Sequence, residues 1–279
     1  MAICAAQLGR RVALVQLSES PATTTLATGL ANDEIEKSIK SDQITVLTLK
    51  PEDVLVEYLQ DHGLSALGRR LISSGVVSVI ATAVPGIKEL LILGKIKQLE
   101  RLQTYDTIIL DSPASGHLIT FLSSPKGLGD IANVGLLRSQ AEEVTALLKD
   151  PSRCKVVLVT LPEETPVEET LQTISKIREL DTVEIGPVII NGVIHTSKIN
   201  NLTRDKIGEY ASQIPEFGAY SYVEARQAMQ IRNIDLLRHK LGNLSYFQLP
   251  LIFSEEMSYK SQLFLAQLMT ASDQEIQPI

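Results

Sequence analysis

The chain has 279 residues, of which 44% are apolar and 21% charged, enough for one large domain or two small ones. Its net charge of -7 disfavours nonspecific binding of nucleic acid or anionic membrane, which needs Lys/Arg patches. Two cysteines, Cys4 and Cys154, in no CxxC pattern exclude a zinc ribbon and a thioredoxin-type pair, and no apolar stretch approaches the ~20 residues of a membrane helix, so the reading is a cytoplasmic protein.

The first predicted element is an apolar helix over residues 1–8, stopped by Gly9. Aliphatic runs follow at 12–17, 44–49, 107–110, 156–159 and 188–190, with a weaker one at 246–249. They are continuous rather than alternating, which predicts strands covered on both faces. Helical spacing fills the intervals. Residues 51–61 open on a proline and carry Val54, Leu55, Tyr58 and Leu59 at helical intervals. Residues 85–102 carry Ile87, Leu90, Leu91, Ile96 and Leu99, and 131–148, 166–180, 222–241 and 255–269 complete the set. Strand alternating with helix predicts an α/β domain with a mostly parallel sheet. Residues 51–103 and 117–150 hold helices without strands and read as helical insertions on one side of that sheet. The polar tail, 271–279, is expected to fray.

The strongest local signal is YDTIILDSPASGH over residues 105–117. An aliphatic strand ends in Asp111, and small residues lead to Gly116. Ligands of open α/β sheets sit at the carboxyl ends of strands. A carboxylate there holds Mg²⁺ directly or through water, and a glycine brings its N–H close to a phosphate. The pattern is that of a Walker B strand running into a switch loop; the bland alternative is an aspartate that caps a turn.

That run resembles the D-T-A-P-T-G-H switch of the ArsA-type ATPases, the family of arsenite-pump and tail-anchored-protein targeting ATPases. Further blocks resemble the family in the same order: VPGIKELLILGKI, SPKGLGDIANVGLLRSQAEEVTALLKDP, VTLPEETPVEET and VIINGV. The resemblance implies a P-loop NTPase-like α/β fold, mostly parallel and flanked by helices, with a helical subdomain on one side. It implies a single domain over 1–279 with insertions at about 51–103 and 117–150. It further implies ATP and Mg²⁺ as ligands, Asp111 assisting the metal, Gly116 sensing the γ-phosphate and Ser115 beside it. Asn191 would bind adenine, and Pro250 and Leu251 would lie near the base. His117 reads as a structural histidine.

Three departures accompany the resemblance. The phosphate-binding G-x-x-x-x-G-K-[ST] is absent, and the chain is expected to begin just after it, short of roughly one strand plus the loop. After the second strand the family carries S-T-D-P-A-H, whose Asp positions the attacking water. Here Ser20 takes the Asp position in SESPAT, and Glu19 is the neighbouring candidate for a catalytic carboxylate. Finally, two distant cysteines do not suit thiophilic arsenite, and without CxxC there is no zinc-bridged dimer. Residues 76–84 are apolar enough to line a cargo groove, although such runs are more often core.

The function read from the sequence is an ATP-driven molecular switch acting as a homodimer or paralogous heterodimer on an unknown protein or membrane cargo, without nucleic acid. A noncatalytic paralogue regulating an active partner is the alternative, favoured by Ser20. A NAD-binding oxidoreductase is the third, since Gly127 and Gly129 fit G-x-G-x-x-A; the glycines do not follow a strand, which argues against it.

Overall fold

The computed structural model describes residues 1–17, 43–61, 63, 85–131, 135–194, 216–254 and 257–271. Within them the elements in chain order are α1 (Ala2–Gln7), β1 (Val12–Gln16), β2 (Ile44–Thr48), α2 (Pro51–Asp61), α3 (Ile87–Arg101), β3 (Thr107–Asp111), α4 (Ser115–Ile131), α5 (Leu136–Lys149), β4 (Lys155–Thr160), α6 (Glu164–Leu180), β5 (Glu184–Val193), α7 (Glu216–Leu241), β6 (Tyr246–Pro250) and α8 (Tyr259–Ala271). The chain divides into two compact units: Met1–Val156 with Lys176–Glu184 and Glu256–Gln267, and Val157–Ser175 with Ile185–Glu255 and Leu268–Ile279. The α/β fold with parallel strands expected from the aliphatic runs is observed.

The first unit holds a parallel sheet in the order β2-β1-β3. β1 is its middle strand, and Val12, Ala13 and Val15 are completely buried, as a continuous aliphatic run requires. Ala2, Ile3 and Ala6 of α1 cover Val12 and Ile44 together with Tyr259 and Ala266 of α8. Gly9 ends α1 at φ +78, and its amide donates to Ala6 O. At the amino end of the sheet the Arg11 guanidinium forks onto Asp106 at 2.7 and 3.1 Å, and the Arg11 amide adds a third bond at 2.9 Å. These bonds hold the Asp106 carboxyl down at about 2.

The helices of this unit differ from the sequence reading in one respect. The predicted helix over 131–148 is divided: Ile131 closes α4, and Gly135, at φ +100, precedes α5. α4 runs through Pro125, which cannot donate to the Phe121 carbonyl four residues back. The Ser124 hydroxyl donates to that carbonyl instead, at 3.0 Å, so the buried oxygen keeps a partner. Gly127 and Gly129 also lie inside α4, and a Cβ on Gly129 would stand 3.5 Å from Ala141. These glycines serve a helix interior, not a strand-to-helix turn, which removes the structural context of a dinucleotide fingerprint. Gly86 opens α3 at φ +85 with its Cβ position 3.1 Å from Ser124, so a close approach to α4 and a left-handed backbone both demand glycine there.

The second unit holds a sheet in the order β4-β5-β6, with β5 and β6 parallel. Val188, Ile189 and Ile190 of β5 are buried, and Ile234, Leu237 and Leu241 of α7 are buried as well. β5 is longer than the predicted 188–190, because Gly186 and Pro187 are accommodated in the strand. Pairing with β6 begins only at Val188, so the missing Pro187 N–H leaves no gap in that ladder.

Candidate functional site

The predicted site residues fall into two groups, one in each unit, and Glu19 and Ser20 lie outside the described residues. In the first unit the register aligns Gln16 with both Thr48 and Asp111, so β1, β2 and β3 end together at one carboxyl edge. In-register residues of neighbouring parallel strands share a face, which makes Thr48, Gln16 and Asp111 a polar row across that edge. Gln16 is buried and donates from Nε2 to Thr48 Oγ1 at 2.8 Å, while its Oε1 has no partner among the described residues. Asp111 is exposed.

Ser112, Pro113 and Ala114 lead from Asp111 directly into α4, a helix of 17 residues. Its first turn begins with Ser115, Gly116 and His117, all exposed. The amides of His117 and Leu118 both donate to Ala114 O. Those of Ser115 and Gly116 have no acceptor among the described residues, which is the ordinary state of a helix N-terminus and gives it its affinity for anions. A Cβ built on Gly116 would meet nothing within 4 Å. Packing among the described residues therefore does not require glycine at this position, in contrast to Gly86. A carboxylate and a set of free amides thus share one solvent-facing sheet edge.

The second group lies at the carboxyl edge of the other sheet. β5 and β6 stay in register through Ile190 and Gln248, slip by one residue, and resume at Val193 and Pro250. The extra residue falls at Asn191–Gly192, where Gly192 adopts φ +72. A Cβ on Gly192 would lie 3.4 Å from Leu161 and 3.9 Å from Leu251, so the ends of β4 and β6 flank this glycine. The structure thus brings Asn191, Pro250 and Leu251 together. Leu161 was not legible as a member of this group, since it follows β4 about 30 residues earlier in an ordinary strand-to-helix connection.

A third feature carries none of the predicted site residues. Among the helices of the first unit, a cleft of 330 Å³ is lined by α2, α3 and α5. Charged and polar pairs stand in its otherwise largely apolar walls: Lys95 pairs with Glu57, and Lys97 pairs with Glu143 at 2.7 Å and with Gln140 at 2.7 Å. The Lys97 hydrogen bond holds the Glu143 carboxyl below its ordinary value. The apolar stretch 76–84, expected to line a groove, lies outside the described residues. Among the described residues no helix is long and apolar enough to cross a membrane.

A parallel α/β sheet edge carrying a carboxylate and a helix N-terminus is the arrangement of nucleotide-binding folds, and comparison with known proteins narrows it. The family model described as anion-transporting ATPase matches residues 18–134 and 130–270, and the chain belongs to this ArsA-type family. ATPase BagA of Mycobacterium tuberculosis is 33% identical over 165 residues, which cover 57% of this chain and 48% of the relative. ATPase GET3 of Podospora anserina is 23% identical over 239 residues, covering 73% and 64%. The arsenical pump-driving ATPase of Escherichia coli is 24% identical over 217 residues, covering 71% and 37%. The chain spans about half the length of the mycobacterial relatives it matches.

Proposed function

We propose that the chain is an ATP-binding and ATP-hydrolysing molecular switch, in which Mg-ATP turnover moves the helical insertions about 51–103 and 117–150 of a single ATPase domain. The observation that carries this reading is the sheet edge of the first unit: exposed Asp111 ends β3, and the free amides of Ser115 and Gly116 open α4 after three intervening residues. Family membership supports the nucleotide class.

A single exposed carboxylate suits Mg²⁺, which takes one or two protein carboxylates and draws its other ligands from phosphate and water. Bound there, the ion would neutralise phosphate charge. Asp111 holds a hard oxygen at the strand end, and Ser115 and Gly116 offer donors to phosphate oxygens at the positive end of the helix dipole. Open space at Gly116 lets a terminal phosphate approach the backbone, and its loss after hydrolysis would release α4. In the second unit, Asn191 would read the adenine edge beside Pro250 and Leu251. Assembly as a homodimer or with a paralogue, action on a protein or membrane cargo, and a cytoplasmic location belong to the same proposal.

The test uses the natural full-length protein. Asp111→Asn is expected to weaken Mg²⁺-dependent ATP binding roughly 10- to 100-fold, as loss of a group that orients metal-bound ligands does, while the unfolding midpoint stays put. A wild type that binds no nucleotide, or an unchanged Mg²⁺ requirement in Asp111→Asn, refutes the proposal. A regulatory, noncatalytic role is the second reading, favoured by Ser20 at the place of the family's aspartate. Turnover that appears only when a paralogue is added would select it.

A further inference from the structure

We propose that Gln230 is a positioning residue for base recognition: it holds the Asn191–Gly192 bulge in the one conformation that presents Asn191 to an adenine. The inference rests on the nucleotide reading above and goes beyond it by naming what sets the discriminating side chain.

The bulge creates a local problem. One extra residue on β5 leaves backbone groups around Gly192 out of the ladder with β6, and such groups are costly when buried without partners. Gln230, on α7, solves it from both sides. Its Oε1 accepts from the Ile194 amide at 2.9 Å, and its Nε2 donates to the Gly192 carbonyl at 3.3 Å. The residue is only 2% exposed and its bond to Ile194 is buried, so water competes little with the clamp. The amide therefore clamps the residues on either side of Val193, just after Asn191. The side chain of Asn191 makes no hydrogen bond of its own among the described residues, and it is half-buried. Its direction is therefore set by the backbone beneath it.

The same face of α7 anchors the neighbouring wall. Arg226, Gln230 and Asn233 recur at i, i+4 and i+7, the spacing of one helical stripe. Arg226 pairs with Glu163, and Asn233 Nδ2 donates to the Pro162 carbonyl at 3.3 Å. Pro162 and Glu163 directly follow Leu161. Leu161 and Leu251 are 43% and 40% exposed, and an atom of each lies within 4 Å of where a Gly192 Cβ would stand. Two exposed leucines beside bare backbone offer an apolar surface to a flat body, and the Asn191 amide supplies a paired donor and acceptor next to it. A purine fits that description, and an amide side chain is the natural complement of adenine's adjacent donor and acceptor.

The experiment measures ATP and GTP binding to the full-length protein by titration calorimetry. Wild type is expected to prefer ATP. Gln230→Met removes both clamp bonds, and the ATP:GTP preference is expected to fall about tenfold, the equivalent of one lost discriminating hydrogen bond. Gln230→Glu keeps the acceptor for Ile194 and loses the donor, so its preference should fall part of the way. Asn191→Ala should match Gln230→Met. Thr173→Val, which deletes a buried bond to Glu169 O within α6, controls for destabilisation alone and should leave the preference unchanged. A preference within twofold of wild type in both Gln230 variants, or in Asn191→Ala, overturns the inference and leaves the ATPase reading standing. A wild type that binds neither nucleotide overturns both.

Discussion

Replacing Glu143 with leucine tests how the helices of the first unit are held. Lys97 of α3 is 6% exposed, and among the described residues its ammonium meets Glu143 Oε2 and Gln140 Oε1, each at 2.7 Å. Glu143 of α5 is 38% exposed and also receives Arg101 at 3.0 Å. The two partners are therefore unequal. Without Glu143 a buried ammonium keeps one neutral acceptor, and breaking such a pair costs about 3–5 kcal/mol when both charges are deeply buried. The exposed carboxylate lowers this to about 2 kcal/mol. Without Lys97, in Lys97→Met, Glu143 retains Arg101 and water while the methionine fills the channel of the lysine stem, so the loss stays below about 1 kcal/mol. The double variant should lie near Lys97→Met, giving a coupling of about 2 kcal/mol. Urea denaturation of the four proteins measures this directly. Equal losses in the two single variants, or a larger loss for Lys97→Met, would refute the reasoning. Acid adds a signature. The Glu143 carboxyl lies below its ordinary value, chiefly through the Lys97 hydrogen bond. Its stabilisation is present above the ordinary glutamate range and is lost as pH falls through the lowered folded value. Glu143→Leu should lack that part of the acid dependence.

Two further outcomes follow from the same contacts. Gly94→Ala puts a methyl 2.0 Å from Gln140 Nε2, so the amide must leave its bond to Lys97; calorimetry should find it destabilising in wild type yet stabilising by up to about 1 kcal/mol in a Gln140→Ala background, where only helix propensity remains. Carboxyl NMR should find Asp106 ionised down to about 2 and returned toward 3.8 in Arg11→Met; the stabilisation it provides is present above the ordinary value and disappears as pH falls through about 2.

The six strands were legible as short aliphatic runs, and each predicted run is a strand; the burial on both faces expected of such runs holds for the middle strands β1 and β5 and not for all six, since Val159 of β4 is 62% exposed. The strand end was legible too, as an acid after Ile108-Ile109-Leu110, whereas Ser115, Gly116 and His117, read as part of a switch loop, form the first turn of α4. What stayed hidden depends on contacts distant in sequence. The start of α4 gave no clear helical signal, since Pro125, Gly127 and Gly129 all weaken it; a hydroxyl one residue before the proline repairs the helix. The boundary between α4 and α5 was missed because Gly135 reads as an ordinary helix-tolerated glycine until its φ of +100 is seen. Gln230 carried no signal at all. A buried glutamine on α7 looks like a surface residue in sequence, and only the bulge it serves explains it. Asn191 was named from resemblance, but the slipped register beneath it could not be.

Gly86 and Gly116 show that two glycines of one chain answer to different demands. At Gly86 any larger residue meets Ser124 and a left-handed backbone, whereas at Gly116 an added methyl meets nothing. Thermal-shift screens of random variants would flag the former and pass over the latter, and alanine there would even melt slightly later. Tolerance in such a screen is thus a poor guide to dispensability in this protein: the quietest positions along the α4 N-terminus are the ones to assay with ligand.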